Sequence, residues 1–186
     1  AGTVVYNSLG VAPGTSVADR PHFIRLRQGP DRMVLGEPVL ARLNGQWLFV
    51  VGRPILRDGR FAGAVHALMS TEFLSATLGR LSLTPQDLVA LVHPEGRILA
   101  RSLDNPAAMQ QSVPASRPFL TDRQAERGVF RHTGVVDGVP RLFGWQRMQP
   151  TGSVLVVGLS EGGILQPLAE SRRQAIRLSV LLSLAL

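Results

Sequence analysis

The feature that most constrains this fold is a series of apolar runs separated by dipeptides that suit tight turns. The segment from Leu40 to Met69 contains three such runs, interrupted by Asn44-Gly45 and then by Asp58-Gly59. Asn-Gly and Asp-Gly accommodate the positive φ angles of two-residue hairpin turns. The pattern therefore predicts three antiparallel strands joined as a β-meander.

The second half of the sequence repeats this theme after a short predicted helix, which Ser70 or Thr71 can cap. A hairpin with its turn at Asp137-Gly138 is expected, and a short helix is expected from Phe119 to Arg127. A final helix is predicted from about Gly163 to the end of the sequence. Further strands are predicted at Leu88 to His93, Arg97 to Arg101, Val129 to Val136, Val139 to Arg147 and Ser153 to Leu159. The fold class predicted is α+β, with two tandem antiparallel modules of PAS-like form.

Composition and spacing exclude several classes of function. The formal net charge is +7 and all 20 basic residues are Arg, but they are scattered, and only Arg172 and Arg173 are adjacent. Nucleic-acid binding is not expected, because it usually requires a concentrated basic face. The sequence has no Cys, and its four His lie far apart, so it predicts no disulfide, no metal site and no cofactor.

The C-terminal tail has two interpretations. The run from Leu178 to Leu186 contains only Leu, Val, Ser and Ala, and it is too short to cross a bilayer, which needs about 20 residues. It is either the apolar face of a terminal helix in a soluble domain or the first half of a transmembrane helix. We favour the second interpretation, because the run ends without a helix cap.

The alternative from the enzyme class is a serine hydrolase, because Gly158-Leu159-Ser160-Glu161-Gly162 matches the nucleophile elbow of α/β-hydrolases. The acid and the histidine of that fold should follow the serine, yet every His in this sequence precedes Ser160. Ser160 is expected instead to cap the terminal helix. We therefore predict that the chain is not an enzyme.

The order of short motifs resembles the double Cache (PDC) family of extracytoplasmic sensor domains. Asp19-Arg-Pro-His-Phe resembles the D-R-x-[YH]-F motif of the membrane-distal module, and Asp58-Gly-Arg-Phe-Ala-Gly-Ala-Val resembles a later strand of that module. Gly96-Arg-Ile-Leu-Ala-Arg-Ser and Asp137-Gly-Val-Pro-Arg-Leu-Phe resemble parts of the membrane-proximal module. The resemblance covers almost the whole chain from Val4.

This resemblance implies both an architecture and a location. It implies a distal PAS-like module at residues 1–84, a proximal PAS-like module at 85–162, and a helix at 163–186 that leads to the membrane. The family also has a long helix before the first strand, and the sequence begins after it. Proteins of this kind are sensors of diguanylate cyclases, histidine kinases and chemoreceptors in the bacterial inner membrane, with the sensor facing the periplasm. A homodimer is implied as well.

The resemblance also implies that a small molecule binds in the distal module. Arginine can hold a carboxylate by two parallel hydrogen bonds, so a small carboxylate is the ligand we expect. Amino-acid-binding members carry an Asp where this sequence has Leu68, which makes an α-amino acid less suitable. The alternative is an interaction module that binds no small ligand. The predicted binding residues are Tyr6, Arg20, His22, Phe23, Trp47, Arg53 and His66.

Overall fold

A computed structural model describes residues 2–8, 10, 14–30, 32–41, 45–82 and 84–163. Within these residues two antiparallel sheets follow one another along the chain, one with four strands and one with five. The α+β fold class with antiparallel sheets is thus confirmed. We call the first the N-terminal sheet and the second the C-terminal sheet, and their strands are β1 (Val34–Leu35), β2 (Val39–Leu40), β3 (Trp47–Arg57) and β4 (Arg60–Ser70), and β5 (Leu88–Val92), β6 (Ile98–Arg101), β7 (Arg127–Thr133), β8 (Pro140–Arg147) and β9 (Val154–Ser160).

The N-terminal sheet is built around its third strand. β1 and β2 both pair with one edge of β3, and β4 pairs with the other edge. This arrangement is the predicted meander, with its first strand divided in two. The helix α1 (Pro21–Gln28), which was not predicted, covers one face of the sheet.

The hairpin between β3 and β4 has the tight turn that the sequence predicts. Asp58 and Gly59 have φ angles of 50° and 72°, and the ladder continues to the pair Arg57 and Arg60 on either side of them. By contrast, the segment before α1 contributes one isolated bridge, between Thr3 and Ser16. The predicted likeness between the two modules is therefore weaker at the start of the chain than in the meander.

The C-terminal sheet has the strand order β6-β5-β9-β8-β7. The short helices α3 (Asn105–Ala108) and α4 (Pro118–Thr121) lie between β6 and β7. β5 is apolar and almost wholly buried, β8 and β9 alternate between buried and more exposed residues, and α4 packs Phe119 against the inner face. Trp145, Phe143 and Phe119 belong to the core cluster on that face.

Two predicted details of this half are wrong in extent. The helix expected from Phe119 to Arg127 ends at Thr121, because the Asp122 carboxylate accepts hydrogen bonds from the backbone N–H groups of Gln124 and Ala125. The turn at Asp137-Gly138 is a wider loop over residues 134–139, where Gly134 N–H donates to the Val139 carbonyl at 2.9 Å. The hairpin itself is present.

The helix α2 (Thr71–Gly79) lies at the junction of the two sheets. Ser70 caps it as predicted, since its Oγ accepts a hydrogen bond from Phe73 N–H at 3.3 Å. Leu35 and Phe49 of the N-terminal sheet form one core cluster with Leu99 of β6. Side chains from both halves thus share a core.

The Asp87 carboxylate connects the segment just before the C-terminal sheet to the last residue of that sheet. Asp87 is 3% exposed, and its two oxygens accept hydrogen bonds from the backbone N–H groups of Thr84, at 2.7 Å, and Ser160, at 3.0 Å. Residues 161–163 are helical, and the Ser160 hydroxyl caps them by accepting from Gly163 N–H at 3.0 Å. The start of the predicted terminal helix is therefore seen, and the rest of it lies outside the described residues.

The apolar tail from Leu178 also lies outside the described residues. Among the residues that the structure describes, no helix has the length and hydropathy needed to cross a membrane.

Candidate functional site

Three of the predicted ligand-binding side chains meet between α1 and β4. The rings of His22 and His66 lie edge to face with their centroids 5.0 Å apart, and Phe23 lies 6.3 Å from the same His66 ring. Phe61 joins them, with its ring centroid 5.7 Å from that of Phe23. We call His22, Phe23, Phe61 and His66 the ring cluster.

Backbone geometry explains how α1 approaches the sheet so closely. His66 pairs across the ladder with Gly52, and a Cβ atom on Gly52 would lie 2.7 Å from both His66 Cδ2 and Leu26 Cδ1. A side chain at this position would therefore collide with the ring cluster and with the helix above it. Gly52 is the residue that lets the two elements meet.

The two histidines are held in their neutral form. Burial, followed by the charges of His66 and Arg20, lowers the pKa of His22 to about 4. Burial also lowers the pKa of His66, and its Nε2 atom is buried without a hydrogen-bond partner. A buried polar atom without a partner is costly. His66 Nε2 is therefore a point at which a polar ligand atom would gain a bond.

The other predicted residues lie in different surroundings. Successive side chains of a strand alternate between faces, so Trp47 and Arg53 lie on the opposite face of β3 from Gly52 and the ring cluster. Trp47 packs against the cluster that contains Ile98 and Met109. Tyr6 is 83% exposed. Arg20 precedes α1 and acts on His22 through its charge.

A network of buried charges, which sequence reasoning missed, lies in the C-terminal half. Arg141 donates to both oxygens of Asp137, at 3.0 and 2.8 Å, and Arg101 donates to Asp137 Oδ2 at 2.6 Å. Burial alone would raise the pKa of Asp137, but the hydrogen bonds from Arg141, Val139 and Arg101 hold it at about 2. From sequence, Asp137 is interpreted as a turn residue and as the first residue of a motif that also contains Arg141. No signal in the sequence links it to Arg101.

The surroundings of Ser160 differ from those of a catalytic serine. Its side chain is fully buried, with 0% exposure, and its hydroxyl serves as the helix cap described above. His93, the buried histidine of this half, hydrogen-bonds instead through Nε2 to the Leu35 carbonyl at 3.2 Å. The nucleophile-elbow pattern is thus explained by capping.

Comparison with known proteins gives matches at the level of structure. No family model matches the sequence, and no curated protein matches it significantly. The extracellular domain of a protein described as a histidine kinase, rpHK1S-Z16, is similar over 88% of this chain and 68% of its own, with 23% identity and a TM-score of 0.72. The ligand-binding domain of the Pseudomonas fluorescens chemoreceptor CtaA in complex with L-leucine is similar over 80% and 61%, with 19% identity and a TM-score of 0.58. The ligand-binding domain of Mlp24 with asparagine is similar over 87% and 65%, with 18% identity and a TM-score of 0.54.

These similarities show the fold. The chain has the fold of the extracellular sensor domains of histidine kinases and chemoreceptors. The similar structures include ligand-binding domains of chemoreceptors, which are among the receptors that the motif resemblance named. The chain spans about two thirds of the length of the structures it matches, from 60% to 68%.

Proposed function

We propose that the chain is the periplasmic ligand-sensing part of a bacterial inner-membrane receptor, and that it binds a small carboxylate at the ring cluster. The fold is the general support, since its structural neighbours are extracellular sensor domains of two receptor types. The observation that carries the location of the site is the unpartnered, buried Nε2 of His66 beside His22 and Phe23.

The chemistry of the cluster suits an anion. A neutral imidazole can donate one N–H to a carboxylate oxygen, and the nearby Arg20 guanidinium can supply charge-assisted hydrogen bonds of about 1.5–3 kcal/mol each. Phe23 and Phe61 form an apolar wall that excludes water and strengthens such bonds. Arg20, His22, Phe23 and His66 are therefore the ligand-binding residues we propose.

The class of ligand is inferred from Leu68, which lies next to the ring cluster on β4. Leu68 lies two residues from His66 on the same face of β4 and is 54% exposed. An α-amino acid needs an anion for its ammonium group, and Leu68 supplies none. Leucine, serine and asparagine are ligands named for neighbouring receptors, so amino acids belong in the test panel.

The signal would leave this half through the shared core and α2. Ligand binding changes a signalling equilibrium only by its differential affinity for the two states. We propose that binding shifts α1 against β3 and β4, and that the shift reaches the residues after Ser160, the inner membrane and an intracellular cyclase, kinase or chemoreceptor output domain. The chain itself is proposed to have no catalytic activity.

A thermal-shift screen of the chain against small carboxylates, amino acids and amines tests this function. Ligand at 100 times its Kd should raise the free energy of unfolding by about 2.7 kcal/mol. We expect a carboxylate to stabilise the wild type, and both Arg20→Ala and His66→Phe to lose that effect. Arg27→Ala, at an exposed arginine in the last turn of α1, is the matched control. A hit that survives both cluster variants would contradict the proposed site.

A second candidate function, interaction with another protein, is favoured by the outer face of the C-terminal sheet. Val129 of β7 and Val157 of β9 both pair with Gly144 of β8, and they are 69% and 38% exposed. Exposed apolar rows on a sheet are typical of protein interfaces. We propose that a second copy of the chain packs on this row, in addition to the dimer contact through the terminal helices that the resemblance implies. Sedimentation of Val129→Asp against the wild type tests it, and an unchanged oligomeric state would count against this surface.

A further inference from the structure

The inner face of the C-terminal sheet encloses a cavity of about 50 Å³. Leu88, Ala90 and Val92 of β5 line it on one side, and Phe130 of β7 and Phe143 of β8 line it on the other. Because side chains of a strand alternate, the β5 residues all lie on the face that points away from solvent. The cavity is a gap in an otherwise closely packed core, and its walls are mostly apolar.

One charged side chain at this cavity lacks the partner that its burial demands. Arg117 lines the cavity and is 5% exposed. Its guanidinium carbon lies 5.4 Å from the centre of the Phe130 ring, and its Nη2 makes one long hydrogen bond of 3.5 Å to the Thr133 carbonyl. Among the described residues, no carboxylate lies within salt-bridge distance of it.

The neighbouring buried arginines show what such a group normally requires. Arg101 and Arg141 are equally buried, and both reach the Asp137 carboxylate. Arg117 has no such counter-ion within the part of the chain that the structure describes, and burial lowers its pKa. A buried cation without an anion is expensive. An anion that entered the cavity would supply the missing interaction.

We propose that this cavity is a second ligand site, in which a small aliphatic monocarboxylate pairs with Arg117. One water needs roughly 10–15 Å³ on this measure, so the cavity accommodates about four atoms of that size. Acetate and propionate have this size. The planar guanidinium matches a carboxylate, and the apolar walls receive the alkyl group. A sulfate or phosphate would place oxygens against those apolar walls and leave them without donors.

This proposal does not depend on the ring cluster, because the two sites lie in different sheets and use different arginines. The experiment is a calorimetric titration of the full chain with propionate at constant ionic strength, with chloride as the reference anion. The variants are Arg117→Gln, which removes the charge, and Ala90→Val, which fills part of the cavity and leaves the arginine in place. Arg123→Gln is the matched control, since Arg123 is 57% exposed and its partner Glu95 is also exposed.

We expect propionate to bind the wild type and Arg123→Gln with the same affinity. The loss of a charge-assisted pair in Arg117→Gln should weaken binding by at least about tenfold. Ala90→Val should also weaken propionate and should affect acetate less, because acetate is smaller. If Arg117→Gln does not fold, the comparison of the two acids in Ala90→Val decides the matter.

Three results would overturn the proposal. The first is a folded wild type that does not bind propionate, which would leave only water in the cavity. The second is an Arg117→Gln variant that binds propionate as tightly as the wild type. The third is an Ala90→Val variant whose affinity for both acids is unchanged. Arg20→Ala separates this site from the ring cluster. Propionate binding here should be the same in that variant, whereas a ligand of the ring cluster should lose its affinity.

Discussion

The ring cluster of the N-terminal sheet and the Asp137 network of the C-terminal sheet accommodate ionisable groups in different ways. The N-terminal sheet and α1 surround two half-buried histidines whose pKa values are lowered, which favours their neutral form. The C-terminal sheet buries Arg101 and Arg141 and pairs both with Asp137. A protein can bury an ionisable group either by holding it neutral or by pairing it. A histidine held neutral keeps a ring nitrogen that can bond to a ligand. An arginine paired with a carboxylate is instead fixed in the core.

The largest effect is expected where the pairing is broken. Asp137→Ala leaves two buried guanidinium groups without their shared carboxylate, so we expect the free energy of unfolding to fall by about 3–5 kcal/mol in urea titrations. Glu95→Ala removes the carboxylate of an exposed pair with Arg123, and it should cost less than about 1 kcal/mol. A similar small loss in both variants would show that Asp137 does not stabilise this core.

Lowering the pH should remove the stability contributions of His22 and of Asp137 in two different pH ranges. His22 has a pKa of about 4 in the folded protein against an ordinary 6.5, so the unfolded state binds more protons between these values and stability falls as the pH drops through them. The total loss is up to about 3 kcal/mol, reduced by the partial exposure of the ring. Asp137 has a lowered pKa of about 2 against an ordinary 3.8, so its contribution is lost only as the pH falls from 3.8 to about 2.

Urea midpoints measured across this pH range check both steps. His22→Gln should reduce the loss between pH 6.5 and 4 and leave the step at lower pH. Asp137→Asn should do the reverse. Equal pH profiles for the wild type and His22→Gln would contradict the neutral burial of that ring.

A smaller effect is expected where α1 meets the sheet. Gly52→Ala places a Cβ 2.7 Å from His66 Cδ2, and overpacking of this kind costs about 1–3 kcal/mol. Gly63→Ala, on the adjacent strand β4, meets nothing closer than 3.9 Å and should be tolerated. Thermal melts and the NMR signals of the His66 ring give the comparison. A ring signal that does not change in Gly52→Ala would contradict the close approach.

The smallest effect is expected at the junction of the two sheets. Ser70→Ala removes the cap of α2, and a lost N-cap costs about 1 kcal/mol. Thr77 lies in the same helix and donates only to the Phe73 carbonyl, so Thr77→Ala should change the stability by a few tenths of a kcal/mol at most. If the two variants melt together, the cap does not hold the helix in place.

The sequence predicts the strands well because turn chemistry is local. Asp58-Gly59 specifies a tight hairpin whatever surrounds it, and Ser70 caps a helix that begins at the next residue. Asp137-Gly138 has the same local signal, yet its loop is wider. There the Asp137 side chain binds Arg141, four residues away, and also Arg101, which is 36 residues away in sequence, and a contact of the second kind leaves no periodic pattern.

Three of the residues that the motif resemblance singles out lie together in the structure. His22 and Phe23 of α1 meet His66 of β4, and the resemblance names all three because it carries the order of the elements along the chain. Trp47 and Arg53 lie on the other face of β3, and a shift of one residue in a strand decides the face. No sequence motif identifies Arg117. Its importance comes from its burial beside a cavity, which only the packed structure reveals.

The Asp87 carboxylate has a mechanical consequence. It fastens Thr84, where the chain enters the C-terminal sheet, to Ser160, where the chain leaves it. A force between the N-terminal sheet and the residues after Ser160 would therefore be transmitted through the Asp87 side chain and the adjoining ladder between β5 and β9. β6 and β7 lie at the two edges of the sheet, outside this connection. The C-terminal sheet can thus act as a stiff pivot, which passes on a displacement without being stretched by it.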